Sequence, residues 1–286
     1  SLSFEVDCPA PLAAYRRLSR QNPSPYMFFV RRSEDTLFGR SPETSVRVDA
    51  DTNEVHIRPI AGTRSRGRNG GEIEPVEDAR REAELRLDRK EQAEHAMLVD
   101  LARNDAARVS RAGTVEVERL MGVDRYSYVM HLVSHIRGEL QSDLDALHAY
   151  AASMNMGTLV GAPKLRAAEL LRRYEATARG PYGGAVGLLS GGGDLDTGIV
   201  IRSALVDDAG RAHIRTGAGV VADSDPRAES EETRAKARAT IRAIRGREAG
   251  RSAAPRPHDA GGTVDVLLVD NFDSFTFNLA DAFRQR

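Results

Sequence analysis

The sequence predicts an α+β protein, a layered sandwich of mostly antiparallel sheets with outer helices. Segments that alternate like strands outnumber helical ones, and several strands follow one another with no helix between them, whereas parallel neighbours need a crossover. A length of 286 residues, 41% hydrophobic and 29% charged, suits a soluble globular chain with a sizeable core.

The elements follow in order. Ser1 onward reads as a strand, and Pro11 to Arg20 as a short helix whose proline suits a first turn. Tyr26 to Arg32, Ser45 to Asp49 and Glu54 to Ile60 read as strands. The longest helical pattern runs from Glu77 to Val109, where Ala83, Leu87, Ala93, Met97, Leu98 and Leu101 offer an apolar stripe expected to face the core. Tyr126 to Gly138 alternates as a strand, Asp143 to Met154 is helical, and Pro163 opens a helix after the Gly-rich turn MGTLVGA. Strand-like runs Gly184 to Ser190, Gly198 to Val206 and Ala212 to Thr216 precede a helix from Pro226 to Arg245. From Gly246 to Gly262 the composition turns to Arg, Ala, Pro and Gly, a linker. Val264 to Val269 is then a continuous apolar strand ending in DNFDSFTFNLADAF, where Asp273 or Ser274 can cap a helix, as many α/β domains begin. The expected organisation is a domain over 1–245, a linker over 246–262 and the start of a second domain over 263–286.

Bulk properties exclude several classes. The net charge is −1 with basic residues spread among acidic ones, which argues against nucleic acid and against anionic membrane surfaces. The single cysteine, Cys8, forbids an internal disulfide and fits a reducing compartment. No apolar run approaches a membrane span and no secretory pattern opens the chain, so a cytoplasmic location is expected. The start at Ser1, without Met, reads as a piece of something longer.

Two acidic pairs stand out: Glu91 with Glu94, and Glu229 with Glu232. A spacing of three places each pair on one helical face. Such faces could enclose a hard divalent cation, or could be solvated surface. PIAGTR, Pro59 to Arg64, presents Gly62 and Thr63 at an expected turn; GAGVVADSD from Gly217 and MGTLVGAPK are further Gly-rich loops of the kind that meet anions through backbone N–H groups. Arg202 lies in the apolar segment IVIRSAL and needs an anionic partner, structural or ligand. Tyr182 can bond a ligand or pack; His131 and His135, on one alternation face, can be core histidines or acid–base groups; Glu43 can be an exposed turn carboxylate or a proton donor.

Taken together, SPYMFF, LFGRSPE, PIAGTRSRGR, EHAMLVDLARND, VDRYSYVMHLVS, MNMGTLVGAPKLRA, YGGAVG, DLDTGIVIRSAL and GAGVVADSDP resemble the chorismate-utilising enzymes, and among them component I of anthranilate synthase. VDVLLVDNFDSFTFNL resembles the first strand and helix of the class I glutamine amidotransferase that serves as component II. The resemblance implies the chorismate-utilising enzyme fold, a fused anthranilate synthase of which this is an interior fragment, and an oligomeric intact enzyme. It implies Mg2+ held by Glu94 and Glu232 with Glu91 and Glu229 in support. Chorismate is expected among Gly62, Thr63, Tyr182, Arg202, Gly217, Ala218 and Gly219. Glu43 matches the general acid, His131 the histidine of the elimination step, and Pro25, Tyr26 and Met27 part of an L-tryptophan feedback site. Ammonia would come from the fused or associated amidotransferase. Ala61 stands where aminodeoxychorismate synthases carry a nucleophilic lysine, so that adduct is ruled out. The alternatives are an aminodeoxyisochorismate synthase of a phenazine-type pathway and a noncatalytic remnant of the fold.

Overall fold

The computed structural model describes residues 1–21, 24–126, 128–222 and 224–246, and the backbone of 267–269. In chain order the elements are β1 (Leu2–Asp7), α1 (Pro11–Gln21), β2 (Tyr26–Arg31), β3 (Asp35–Ser41), β4 (Thr44–Asp49), β5 (Glu54–Ile57), β6 (Ile60–Ser65), β7 (Arg68–Asn69) and β8 (Glu72–Ile73). There follow α2 (Pro75–Leu87), α3 (Arg89–Ala107), β9 (Glu116–Arg125), β10 (Val129–Glu139), α4 (Ala146–Ser153), α5 (Gly157–Val160) and α6 (Lys164–Tyr174). The chain continues through β11 (Ala185–Leu189), β12 (Leu195–Ile199), β13 (Ser203–Asp207), β14 (Arg211–Thr216), α7 (Pro226–Arg245) and β15 (Leu267–Val269). Two compact units result, one from 1–43, 174–188 and 197–286, the other from 44–173 and 189–196.

The first unit holds a sheet ordered β1-β14-β13-β3-β2, antiparallel at every pairing. Alternation sends Phe38, Ala204, Val206, Ala212 and Ile214 to one face, where they form a core with Leu18 of α1 and Ala237 and Ile244 of α7. Phe28 and Leu37 join Val186 and Val200 in a second cluster. The segment expected as one strand from Gly198 to Val206 is two, because Arg202 has φ +52°, the left-handed region that side chains rarely adopt. α7 runs over the residues its pattern predicts: Asp225 accepts the Ala228 N–H at 2.7 Å, Pro226 takes the first position, and Gly246 ends the helix with φ +73°.

In the second unit β10 is central, paired antiparallel with β5 and β6 on one edge and with β9 on the other; β4 pairs β5. The strand expected to stop at Ile60 runs on as β6, with Pro59, whose carbonyl accepts the Ser134 N–H at 3.2 Å, between the two segments. Strand β9 had no counterpart in the sequence reading; its EVERLMGVDR is exposed at half of its positions and lacks a clean apolar alternation.

The single helix expected over Glu77 to Val109 is broken at Asp88, whose extended backbone (φ −71°, ψ 106°) lets its carboxylate accept the Lys90 and Glu91 N–H groups and start α3. The break resets the helical phase, and the apolar stripe moves. Of the expected stripe, Leu98 is buried, Met97 and Leu101 are half-buried, and Ala83, Leu87 (77%) and Ala93 are exposed; Leu85 (0%), His95 (0%), Val99, Ala102 and Ala106 are buried beside it. Leu85 packs with Val123, Met130 and Leu132 beneath α3.

Arg66, just beyond β6, grips Asp78 of α2 through two bonds of 2.8 and 2.7 Å, and Asp78 also accepts the Gly67 N–H at 2.9 Å. These partners, the guanidinium first, hold the Asp78 carboxyl down to about 2. Expectations for the tail beyond Gly246 lie outside the described residues, except that Leu267–Val269 is a strand antiparallel to Ala185–Gly187. Among the described residues no helix is long and apolar enough to cross a membrane.

Leu85→Ala is expected to cost about 2–5 kcal/mol and Leu87→Ala under about 0.5 kcal/mol in urea unfolding; equal costs would return the segment to one uninterrupted helix. A carboxyl with a depressed pKa in the folded state stabilises above its ordinary value of 3.8, and that contribution is lost as pH falls toward about 2. Asp78→Asn should therefore be less stable than the parent at neutral pH, with the gap closing over that window; a gap that is constant with pH would refute the assignment.

Candidate active site

The candidate residues divide between the units. In the first, Arg202 is set at the break between β12 and β13, its carbonyl accepting the Arg40 N–H at 3.3 Å and the Thr240 hydroxyl of α7 at 3.4 Å. Its guanidinium lies in the field of Tyr182, Glu232 and Glu43, which offset but do not cancel the lowering of its pKa by burial. Arg40, 6% exposed, is pushed down to about 10 by burial and by the charge of Arg202. The anionic partner that the sequence demanded for Arg202 is thus partly supplied by the protein, and the burial of its guanidinium is left incompletely offset.

Glu43 is 8% exposed. Its N–H donates to Ser41 Oγ at 3.3 Å and its carbonyl accepts the Ile199 N–H at 3.0 Å, so its backbone is tied to β3 and β12. Tyr182 is buried, its phenol pushed above the ordinary value by burial, with the Arg179 guanidinium 5.7 Å from its ring centre. A Cβ built on Gly217 would stand 3.1 Å from the Tyr182 hydroxyl, so only a bare backbone lets ring and loop meet this closely. The Gly217 carbonyl accepts from Lys236 Nζ at 3.1 Å, and Lys236 also pairs with Glu232 at 2.7 Å. Ala218 is half-buried and Gly219 exposed; Glu229 is half-buried and Glu232 exposed on α7. Pro25 is exposed, while Tyr26 and Met27 are half-buried and pair with Ser41 and Arg40.

In the second unit the PIAGTR segment is a strand, not a turn. Ala61 pairs with Leu132 and Thr63 with His131, leaving Gly62 as an extra residue with φ +80°, a bulge. A Cβ at Gly62 would come within 3.2 Å of Glu91 Oε2 and of Leu132 Cδ1. Thr63 Oγ1 lies 2.9 Å from His131 Nδ1, and Tyr126 meets the His131 ring edge-on at 5.5 Å. Arg64 binds Asp88 at 2.5 Å and lies 3.7 Å from Glu91. Glu91 is pushed above the ordinary carboxylate value, first by burial and then by the charge of Glu94.

Two residues turn away from the chemistry suggested by sequence. His135 is engaged by His56 at 3.1 Å and Glu118 at 2.6 Å. Lys164, at the end of MGTLVGAPK, donates to the buried Asp105 at 2.8 and 2.6 Å and to the Ser153 carbonyl at 3.2 Å. Sequence reasoning overlooked Arg40, Ser134 and His95; the signal for Arg40 was a cation inside the apolar strand LFGRS. Burial lowers the His95 pKa below the ordinary imidazole value, which makes the ring neutral.

A divalent cation has been tested against this donor set. Glu91, raised by burial and by the charge of Glu94, forms with it an all-oxygen pair that a hard cation would relieve, and Mg2+ needs only a few protein carboxylates. Among the described residues no three His, Cys, Asp or Glu side chains cluster so as to hold a metal alone. The residues fit a magnesium ion completed by water or substrate oxygens.

Comparison with known proteins follows the same line. The family of chorismate binding enzymes matches residues 1–242. Anthranilate synthase component 1 of Vibrio cholerae is 61% identical over 245 residues, 85% of this chain and 47% of that protein. The pyocyanine-specific anthranilate synthase component 1 of Pseudomonas aeruginosa is 58% identical over 262 residues, 91% of this chain and 49% of that protein. The crystal structure of anthranilate synthase component I from Streptococcus pneumoniae superposes with a TM-score of 0.75 at 38% identity, over 84% of this chain and 52% of that one. The chain spans about half the length of the curated relatives it matches. With the family matched over nearly all of the described residues and the layered antiparallel fold shared, the chain belongs to the chorismate binding enzymes.

Proposed function

We propose that the protein carrying this chain acts as anthranilate synthase component I, converting chorismate and ammonia to anthranilate and pyruvate. The observation that carries the reading is Arg202. It is a buried guanidinium on backbone of positive φ, with Tyr182, Glu232 and Glu43 in its field and Arg40 beside it, within a chain 61% identical to an anthranilate synthase component 1.

Chorismate presents two carboxylates. Arg202, with the backbone N–H groups of Gly217, Ala218 and Gly219, takes the enolpyruvyl carboxylate, and Gly62 and Thr63 line the ring. Glu94 and Glu232, with Glu91 and Glu229 behind them, would hold Mg2+, which when bound supplies the charge that neutralises the ring carboxylate. Ammonia attacks C2 while the C4 hydroxyl leaves as water with a proton from Glu43. In the second stage the C2 proton is removed, the bond to the enolpyruvyl oxygen breaks, the ring becomes aromatic and pyruvate departs. His131 is the base of that stage. Its Nδ1 lies 2.9 Å from Thr63 Oγ1, a contact that orients the ring. Tryptophan feedback at Pro25, Tyr26 and Met27, ammonia delivered by a glutamine amidotransferase, an oligomeric enzyme and a cytoplasmic location belong to the same reading.

The full-length protein, given chorismate, ammonia and Mg2+, should produce fluorescent anthranilate and pyruvate. Undiminished turnover in EDTA would refute the metal assignment, aminodeoxyisochorismate as end product would favour the phenazine-type alternative, and no chorismate consumption would leave the noncatalytic remnant. Glu232→Gln should lower kcat/KM by about 10²-fold. His131→Ala should slow pyruvate release more than amination, in a quench-flow experiment that follows both; equal slowing removes its special role.

A further inference from the structure

His95 follows Glu94 on α3 but is wholly buried, at 0% exposure. Its Nε2 lies 2.7 Å from Ser134 Oγ, and that oxygen accepts the Met121 N–H at 2.9 Å. Ser134 is itself 0% exposed, and among the described residues Nε2 is the acceptor the structure offers its hydroxyl hydrogen. The ring therefore accepts at Nε2 and carries its proton on Nδ1. Nδ1 is buried and has no hydrogen-bond partner among the described residues. A packing role alone would be served by an apolar side chain of this volume, with no polar atoms to desolvate. The imidazole instead links α3, beside Glu94, to β10 three residues after His131, and through the Met121 N–H on the same hydroxyl to β9.

We propose that His95 is a positioning residue whose ring, through Ser134, ties α3 to β10, the strand on which β6 is paired, and so sets the Glu91–Glu94 pair against the Gly62–Thr63 bulge. The inference rests on the magnesium and chorismate reading of those residues. In this role His95 never meets substrate; it holds the helix at the distance at which the carboxylates and the bulge act on one ligand, as outer partners of metal ligands do.

The test uses the full-length protein. With 15N-labelled histidine, long-range proton–nitrogen correlations should give His95 a protonated Nδ1 and a bare Nε2, the signal being assigned by its disappearance in His95→Gln. Ser134→Ala and His95→Gln should raise both the Mg2+ half-saturation constant and KM for chorismate by about tenfold or more. Ser134→Ala, which removes the bond to His95 and the acceptor of the Met121 N–H with little change of volume, keeps the test open if His95→Gln folds poorly. A merely structural role would shrink the active fraction, lowering Vmax with both constants unmoved; that result, or a proton on Nε2, overturns the proposal. If the parent protein does not consume chorismate, the functional reading fails by itself. His95 is then judged by amide exchange along Ile60–Ser65, which should quicken in both variants relative to the strands of the first unit; unchanged exchange refutes it.

Discussion

Much of the second unit hangs on one carboxylate. Asp88 stops α2 and caps α3 through the N–H groups of Lys90 and Glu91, and without that break the charged segment would run as a single helix with its buried face in another register. The consequences spread outward. Leu85 is turned into the core with Met130 and Leu132, while Leu87 two residues on is left in solvent. The same carboxylate receives Arg64, one residue past Thr63, and Arg64 in turn faces Glu91 at 3.7 Å. A helix cap has become the corner at which strand, helix and acidic pair are registered together.

Charge is balanced within each unit in a way that suits a protein made to receive a charged guest. Burial and the charge of Arg202 lower the proton affinity of Arg40, and burial lowers that of Arg202 by more than Tyr182, Glu232 and Glu43 restore. Burial and the charge of Glu94 raise Glu91. Groups arranged with like neighbours hold unfavourable energy that an oppositely charged ligand releases, so the strain and the binding reading have one physical origin. Lys236 joins Glu232 of α7 to the Gly217 carbonyl.

The backbone shows where close approach matters. Gly62 is the extra residue of a bulge under Glu91, and Gly217 lies against the Tyr182 hydroxyl. Both glycines were noted in sequence as anion-binding turns. In the structure their role is first to let neighbours come near, and one of the two sits within a strand.

Local patterns were enough to read the antiparallel α+β class, the α1 and α7 helices with their proline starts, and most strands, because these depend on residues adjacent in sequence. The motifs were also legible one by one, since each chemical type is a property of the side chain. Strand β9 escaped because its residues alternate poorly and it is ordered by β10, and the break at Asp88 escaped because a cap competes with helix continuation only by a small margin. The sequence by itself determined which residues have the chemistry for an anion and a hard cation. Only tertiary structure decided that His135 and Lys164 are spent on internal partners and that His131 is oriented by Thr63. It also brought Arg40 beside Arg202, since hydrogen-bond partners and field strengths depend on which distant segments fold together.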